Sequence, residues 1–253
     1  HKTAGIRLGS KSSVDLNNIS LTGVKGQNST GIELSDSKAR MNAIKSSNHS
    51  CAITLKNESD VEFVGGNTHT DDKEIIKVVV ATGEKPSAIK DDTNQYLQTS
   101  QGTQGGTGTQ EIYYGFFETK EVNTVDELIT AVSQSNRIIN LNQDIELKEE
   151  LQISGQNVII NGNNRTITLA EGKKITIKST ATGSKISKVK IKGYTSQGLL
   201  VYNAKNITLE DIELIGDGAK SSVGLDIALD STVKIQNIIT SNHKQSGILV
   251  RDG

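Results

Sequence analysis

The chain contains no tryptophan, and only one proline, one cysteine, one methionine and three phenylalanines in 253 residues. The single cysteine, Cys51, excludes an intrachain disulfide framework. It precedes the apolar pair Ala52 and Ile53, a setting in which a free thiol packs as a small hydrophobe. With so little aromatic bulk, a core has to be assembled from Ile, Leu and Val. The formal charge is −1, and Lys, Arg, Asp and Glu are interleaved, which excludes the basic stripe of a nucleic-acid binder. No apolar run approaches the length of a membrane span, so this segment is not expected to insert into a membrane. No leader or sorting signal lies within it, which carries no information about how the protein reaches its site of action.

What the sequence does have is Gly, Asn, Ser and Thr in abundance, and an internal repeat. Gly5 recurs as Gly198, Gly23 as Gly216 and Gly31 as Gly224, each 193 residues further on. At the same offset Ile6 matches Leu199, Val14 matches Ile207, Leu16 matches Leu209, Ile19 matches Ile212 and Leu21 matches Leu214. After a one-residue slip, Ser47-Asn48-His49 matches Ser241-Asn242-His243. A long-period repeat is the signature of an array of modules. The reading is a window onto a tandem array that opens in the later part of one module and stops inside the next.

Within each copy the apolar residues come in short i, i+2 pairs, such as Val158/Ile160, Ile167/Leu169, Ile175/Ile177 and Ile207/Leu209. That alternation predicts strands with one buried face. Gly, Asn, Asp and Ser punctuate them. A Gly-apolar-x-apolar unit begins at Gly5, Gly31, Gly198, Gly224 and Gly247, at spacings of 26, 26 and 23 residues within the copies. Several short strands within one recurring turn of that length predict a coil rather than a sandwich. The expected fold class is all-β, a right-handed parallel β-helix (a solenoid) with a short N-terminal capping helix in the second module.

The helix is predicted from Thr124 to about Ser133. Thr124-Val125-Asp126-Glu127 has the form of a capping box, and Val125, Leu128, Ile129 and Val132 follow at helical spacing. It would serve as a lid on the open end of the second module. The division is then residues 1–80 as later coils of one module, 81–121 as a polar loop or linker ending in an aromatic strand, and 122–253 as the capping helix and early coils of the next. The stretch Thr99 to Gln110 is low-complexity and polar. Ile112-Tyr113-Tyr114-Gly115-Phe116-Phe117 reads as a strand closing the end of the core.

The run from Val122 to Leu128, then Arg137 to Leu147, then Leu151 to Leu169 with Ile160-Asn161-Gly162-Asn163-Asn164-Arg165-Thr166-Ile167 resembles the opening of the pectate-lyase-like superfamily. It is most similar to the pectate-lyase-like adhesive domain of Gram-positive surface proteins. The resemblance covers about 122–253 and, through the repeat, residues 5 to about 80. It implies a parallel β-helix on a bacterial cell surface or cell wall. The fold supports lyases, hydrolases and adhesins alike, so the activity has to be argued from residues.

A calcium-dependent lyase gathers carboxylates around a cation that takes about 6–8 oxygen ligands. Glu33 and Asp226 hold matching repeat positions, Asp36 and Asp230 lie near the ends of the same strands, and Asp252 could stand one coil above Asp226. A Ca²⁺ ladder is thus conceivable, but outward acidic side chains on a solvated face are the expected state. A hydrolase of this fold needs paired aspartates. Asp71-Asp72 and Asp91-Asp92 sit in irregular polar segments and read as solvated loops. His49 and His243 recur, each in a Ser-Asn-His turn, with no second recurring element to orient a general base. Asn18, Asn161, Asn163, Asn206 and Asn237 fall at strand ends, where Asn tolerates left-handed geometry. The Asn-x-Ser/Thr triplets at Asn28, Asn57, Asn164 and Asn206 are expected by chance in this composition.

The expectation is therefore a tandem-repeat adhesin module without catalytic, cofactor-binding or metal-binding residues, with a polysaccharide or surface protein as partner. The rival readings are a polysaccharide lyase or glycoside hydrolase, and a passive stalk.

Overall fold

A computed structural model describes residues 4–25, 27–81, 84–104, 108–218 and 222–251. The chain forms two compact units, one up to Phe117 and one from Glu118. Both are parallel β-solenoids.

In the first unit the first coil holds β1 (Ala4–Leu8), β2 (Ser13–Asn17) and β3 (Ser20–Thr22). The second holds β4 (Thr30–Ser35), β5 (Lys38–Asn42) and β6 (Lys45–Ser47). The third holds β7 (Cys51–Lys56), β8 (Asp60–Gly65) and β9 (Thr68–Thr70), and β10 (Glu74–Ala81) and β11 (Ile89–Asp91) follow. Three parallel sheets run across the coils, in the orders β1-β4-β7-β10, β2-β5-β8-β11 and β3-β6-β9. Register places Ile6, Ile32, Ile53 and Ile76 in one column and Leu8, Leu34, Leu55 and Val78 in the next. Strands lie about 4.8 Å apart, so like side chains in a column touch directly. Each fully buried Ile or Leu contributes roughly 1.5–3 kcal/mol, and a coil can bury them only against its neighbours.

Of the segment 81–121, expected as a polar loop or linker, the part up to Phe117 falls within this unit and Glu118 onward within the second. After β11 the chain forms a hairpin of β12 (Tyr96–Gln104) and β13 (Thr109–Phe116), and β13 pairs antiparallel with β10. The Thr, Gln and Ser residues carry little apolar signal, but a backbone ladder needs none. The aromatic strand β13 pairs with β10 at the end of this sheet. Ile112 is buried, and Tyr96 stacks on Phe63 with ring centroids 3.8 Å apart. Residues 105–107, in the low-complexity stretch, lie outside the described residues.

The second unit starts with β14 (Glu118–Val122) and α1 (Val125–Val132). Its coils then run through β15 (Arg137–Leu141), β16 (Ile145–Leu147), β17 (Leu151–Ile153), β18 (Val158–Leu169), β19 (Ile175–Ile177), β20 (Lys185–Lys192), β21 (Gln197–Tyr202), β22 (Ile207–Ile215), β23 (Val223–Ala228), β24 (Val233–Ser241) and β25 (Ser246–Arg251). One sheet is ordered β14-β15-β18-β20-β22-β24, with β16 also on β18, and the other β17-β19-β21-β23-β25; every pairing in them is parallel. Leu151, Ile175, Leu199, Leu225 and Ile248 form one core column.

Helix α1 has the predicted capping box. Thr124 Oγ1 accepts from Glu127 N–H at 3.2 Å, and the Glu127 carboxylate accepts from Thr124 N–H at 3.1 Å. Leu128, Ala131 and Val132 are buried against the first coil, and Val125 is partly buried there. Ile129, expected on the same face, is 43% exposed, and Ala131 takes its place.

The turns are made largely by Asn in the left-handed region, including Asn18, Asn163, Asn206 and Asn237 at φ of 50–56°. Three of the asparagines expected at strand ends lie inside strands, Asn163 in β18 and Asn237 in β24 as left-handed bends, and Asn161 without one. It lies within β18, where its amide donates to Asn140 Oδ1 at 3.4 Å across neighbouring strands.

Candidate functional site

Two of the carboxylates singled out as a possible cation ladder, Glu33 and Asp226, are occupied by protein cations. Glu33 accepts from Lys56 Nζ at 2.9 Å and from Arg7 Nε at 2.9 Å. The Lys56 hydrogen bond, opposed by burial and helped by Arg7, holds its carboxyl below the ordinary value. Asp226 is 1% exposed, takes both nitrogens of the Arg251 fork at 3.0 Å, and also bonds the Gln197 amide. The two copies thus share a device: a carboxylate on β4 or β23, and a cation from the next strand, β7 or β25. Asp36 and Asp230 are exposed in turns, and Asp252 lies outside the described residues. Among the described residues no three His, Cys, Asp or Glu side chains are grouped to hold a metal.

The repeated histidines have a structural setting that their sequence context does not show. A Cβ on Gly23 would come within 2.8 Å of His49 Cδ2, and one on Gly216 within 2.9 Å of His243 Cδ2. Gly31 and Gly224 face the opposite edge of the same rings, at 3.5 Å from His49 Cε1 and 3.0 Å from His243 Nε2. Each histidine therefore fills a slot between two glycines of the preceding coil. That accounts for the recurrence of Gly23 as Gly216, Gly31 as Gly224 and His49 as His243.

In the first unit the slot opens onto a buried polar chain. Asp72 Oδ1 accepts from the His49 backbone N–H at 2.8 Å and from His49 Nδ1 at 3.1 Å. Asp72 Oδ2 accepts from Ser46 Oγ at 2.5 Å. Ser46 Oγ lies 2.6 Å from His69 Nδ1, and His69 Nε2 lies 2.8 Å from Tyr96 OH. A carboxylate only accepts, so the donors are ordered: His49 and Ser46 donate to Asp72, His69 Nδ1 donates to Ser46, and Tyr96 donates to His69. The side chains of His49, His69 and Asp72 are 0–1% exposed. Burial raises the Asp72 carboxyl, but the nearby His69 imidazole and the donors Ser46 and His49 outweigh it and hold it below the ordinary value. Burial pushes the Tyr96 hydroxyl up, which keeps it a donor.

Asp72 was expected in a solvated loop, and His49 was expected to lack an orienting partner. The structure corrects both, because Asp72 comes from the coil after His49. The resulting Ser, His and Asp set is not a nucleophile arrangement. A reactive serine gives its proton to histidine, whereas Ser46 gives its proton to the carboxylate. In the second unit Tyr194 OH lies 2.7 Å from His243 Nε2, with the rings stacked at 5.7 Å. Burial lowers the His243 pKa.

The remaining candidates are structural. Asp91 caps its own turn, accepting from Thr93 and from Tyr96 N–H at 2.7 Å. Asp71 and Asp92 are exposed. Cys51 is buried and bonds Ile53 O, and burial pushes its thiol up to about 11, so it carries no thiolate near neutrality.

The outer face of β2, β5, β8 and β11 carries the feature that sequence reasoning missed. Its outward side chains form two columns, Ser13-Lys38-Asp60 and Asp15-Arg40-Glu62-Lys90. An open groove of about 450 Å³ lies along them. Lys38 pairs with Asp60 at 2.9 Å and Lys90 with Glu62 at 2.6 Å. The alternation of charge appears only when coils 22 to 28 residues apart are aligned.

Residues 119–247 match the pectate lyase-like adhesive domain family. No curated protein matches the chain. The helix-capped coils from β14 to β25 are the fold expected from the family resemblance, and the chain belongs to the pectate lyase-like adhesive domain family.

Proposed function

We propose that this chain is a non-catalytic adhesive module of a bacterial cell-surface protein, binding a glycan or a host or matrix surface through the lateral faces of its coils. The observation that carries this reading is the state of Glu33 and Asp226. Each is neutralised by a cation of the adjacent coil, so neither is a ready metal ligand or general base. The Ser46, His49 and Asp72 set is sealed in the core, where no substrate reaches it. The groove along Lys38, Arg40, Asp60 and Glu62 is the contact surface in this reading. It presents donors and acceptors in alternation and near-zero net charge, which suits a hydroxyl-rich partner. Repetition of such modules raises avidity without a strong single site. No helix among the described residues is long and apolar enough to cross a membrane.

The test is retention of the chain, with Ca²⁺ present, on immobilised acidic and neutral polysaccharides and on matrix proteins, with released sugar products read in the same wells. Retention without product is expected, and Arg40→Ala with Glu62→Ala should weaken it. Released unsaturated or reducing-end products would overturn the non-catalytic reading. No retention on any surface would leave a passive stalk.

A further inference from the structure

The charges on the outer face of β2, β5, β8 and β11 have an order that pairing within one chain does not require. On successive strands the outward column Asp15-Arg40-Glu62-Lys90 reads minus, plus, minus, plus. The neighbouring column Ser13-Lys38-Asp60 continues to Ala88, whose N–H donates to Asp60 Oδ1 at 3.2 Å, and reads neutral, plus, minus, neutral. Reversed end for end, each column becomes its own complement. Both reversals share one centre, midway between β5 and β8. Had the Lys38 and Asp60 pair stood one strand earlier or later, ion pairs within the chain would form equally well, but the shared centre would be lost.

That centre fixes how a second copy fits. Two identical faces meet through a two-fold axis lying in the contact plane, and each copy offers the same residues to the other. With the axis along the strands, between β5 and β8, each column faces its own reverse. Lys38 then meets Asp60 of the second copy, Arg40 meets Glu62, Asp15 meets Lys90, and every charge of the two columns meets its opposite. With the axis along the coil stack instead, the two columns would exchange places and set Lys38 against Arg40 and Asp60 against Glu62. Such like-charge juxtaposition suppresses the parallel arrangement.

The side chains are available for this. Lys38, Arg40 and Lys90 are 71%, 48% and 65% exposed. Asp15 is exposed and has no ion pair among the described residues, and Arg40 approaches Glu62 only to 3.6 Å. The face covers roughly 300 Å², from strands about 4.8 Å apart and about 3.3 Å per residue, against about 800 Å² per partner in a stable complex. A single contact is therefore weak, and many copies in an array multiply it.

We infer that this face is a homotypic contact surface, on which the first unit of a second copy docks antiparallel about a two-fold axis between β5 and β8. The inference rests on the reading that the lateral faces of the coils make the adhesive contacts, and it names a second copy of this chain as an occupant of that groove.

The test coats beads of two colours densely with the full chain and mixes them. They should clump at about 0.1 M salt and clump several-fold less at about 1 M, where the screening length falls from about 10 to 3 Å. Arg40→Glu opposes carboxylates across the axis, and Glu62→Arg opposes guanidiniums, so beads carrying either variant alone should clump at least about tenfold less. Mixing the two variants restores opposite charges at both positions, and mixed-colour clumps should return. Rescue by mixing is not a stability effect, because a variant that failed to fold would rescue nothing. Clumping of either variant alone at the parent's level, or no mixed-colour clumps from the pair, would overturn the inference. No clumping by the parent, beside retention on a polysaccharide or matrix protein, would overturn it and leave the adhesive reading standing. Absence of both would remove the two together.

Discussion

Asp72 holds His49 at two points, accepting from its backbone N–H at 2.8 Å and from its Nδ1 at 3.1 Å, although the two residues belong to successive coils. The pair ties the two coils together at one end of the buried chain that runs through Ser46 and His69 to Tyr96. Buried polar chains of this kind are costly when half-satisfied and stabilising when complete. Asp72→Asn keeps the shape but puts an NH₂ donor against Ser46 or His49. Its expected cost is about 2–3 kcal/mol, since it leaves buried donors unpaired. Ser46→Ala should cost less, about 1 kcal/mol. Denaturant midpoints of the first unit check both, and equal effects would show that the chain is not ordered as described.

The glycine slot makes a sharper prediction. A Cβ at Gly23 would lie 2.6 Å from the Asn48 carbonyl oxygen and 2.8 Å from His49 Cδ2, whereas one at Gly9 meets nothing nearer than 3.9 Å. Gly23→Ala should destabilise by roughly 1–3 kcal/mol through overpacking, and Gly9→Ala should be close to neutral. Gly216→Ala should reproduce the effect in the second unit, with its Cβ 2.5 Å from the Asn242 carbonyl oxygen. Thermal unfolding of the three variants decides whether the slot explains the repeated glycines.

Acid should act on the two units in different ranges. Burial lowers the His243 pKa from 6.5, so below that value the unfolded chain binds more protons at this site than the folded one. Its contribution is fully present above about pH 6.5 and is lost as pH falls through the lower folded value. The Asp72 carboxyl is also depressed, so its contribution is present above about pH 3.9 and fades only as pH falls below that. Urea midpoints followed by probes in each unit should show the second unit weakening from mildly acidic pH. His243→Gln should remove that part of the slope, and an unchanged slope would exclude His243 as its source.

On α1 the prediction separates two neighbours. Leu128 is fully buried, and Leu128→Ala should cost about 2–4 kcal/mol. Ile129 is 43% exposed, and Ile129→Ala should stay within about 0.5 kcal/mol. Thr124→Ala removes the cap and should cost about 1 kcal/mol. Chemical denaturation of the second unit ranks the three.

The coil architecture was legible because stacking imposes its own signature. Columns such as Ile32-Ile53-Ile76 demand alternation along the strand and a fixed return distance, and both survive in one sequence. The capping box at Thr124 was legible because all its atoms lie within four residues. What sequence reasoning missed lies across coils. Asp72 looks like half of a solvated Asp-Asp pair until it is noticed that it follows His49 by 23 residues, one of the coil lengths already in view. Glu33 and Asp226 look like ligands until Lys56 and Arg251 are set beside them. The hairpin of β12 and β13 was illegible for another reason: its ladder is held by backbone groups, which polar side chains neither reveal nor forbid.

That hairpin also decides how the first unit bears load. The outermost strand of its sheet is β12, and the chain leaves the unit from β13, which has β10 on one side and β12 on the other. In an unbroken parallel stack the departing strand would be the outermost one, and tension could peel it away one ladder bond at a time. Here a pull transmitted through Phe117 falls on a strand clamped on both flanks, with Phe117 N–H itself bonded to Gln95 O at 2.6 Å. Extraction has to break two ladders together, so this exit resists tension as a lap joint does.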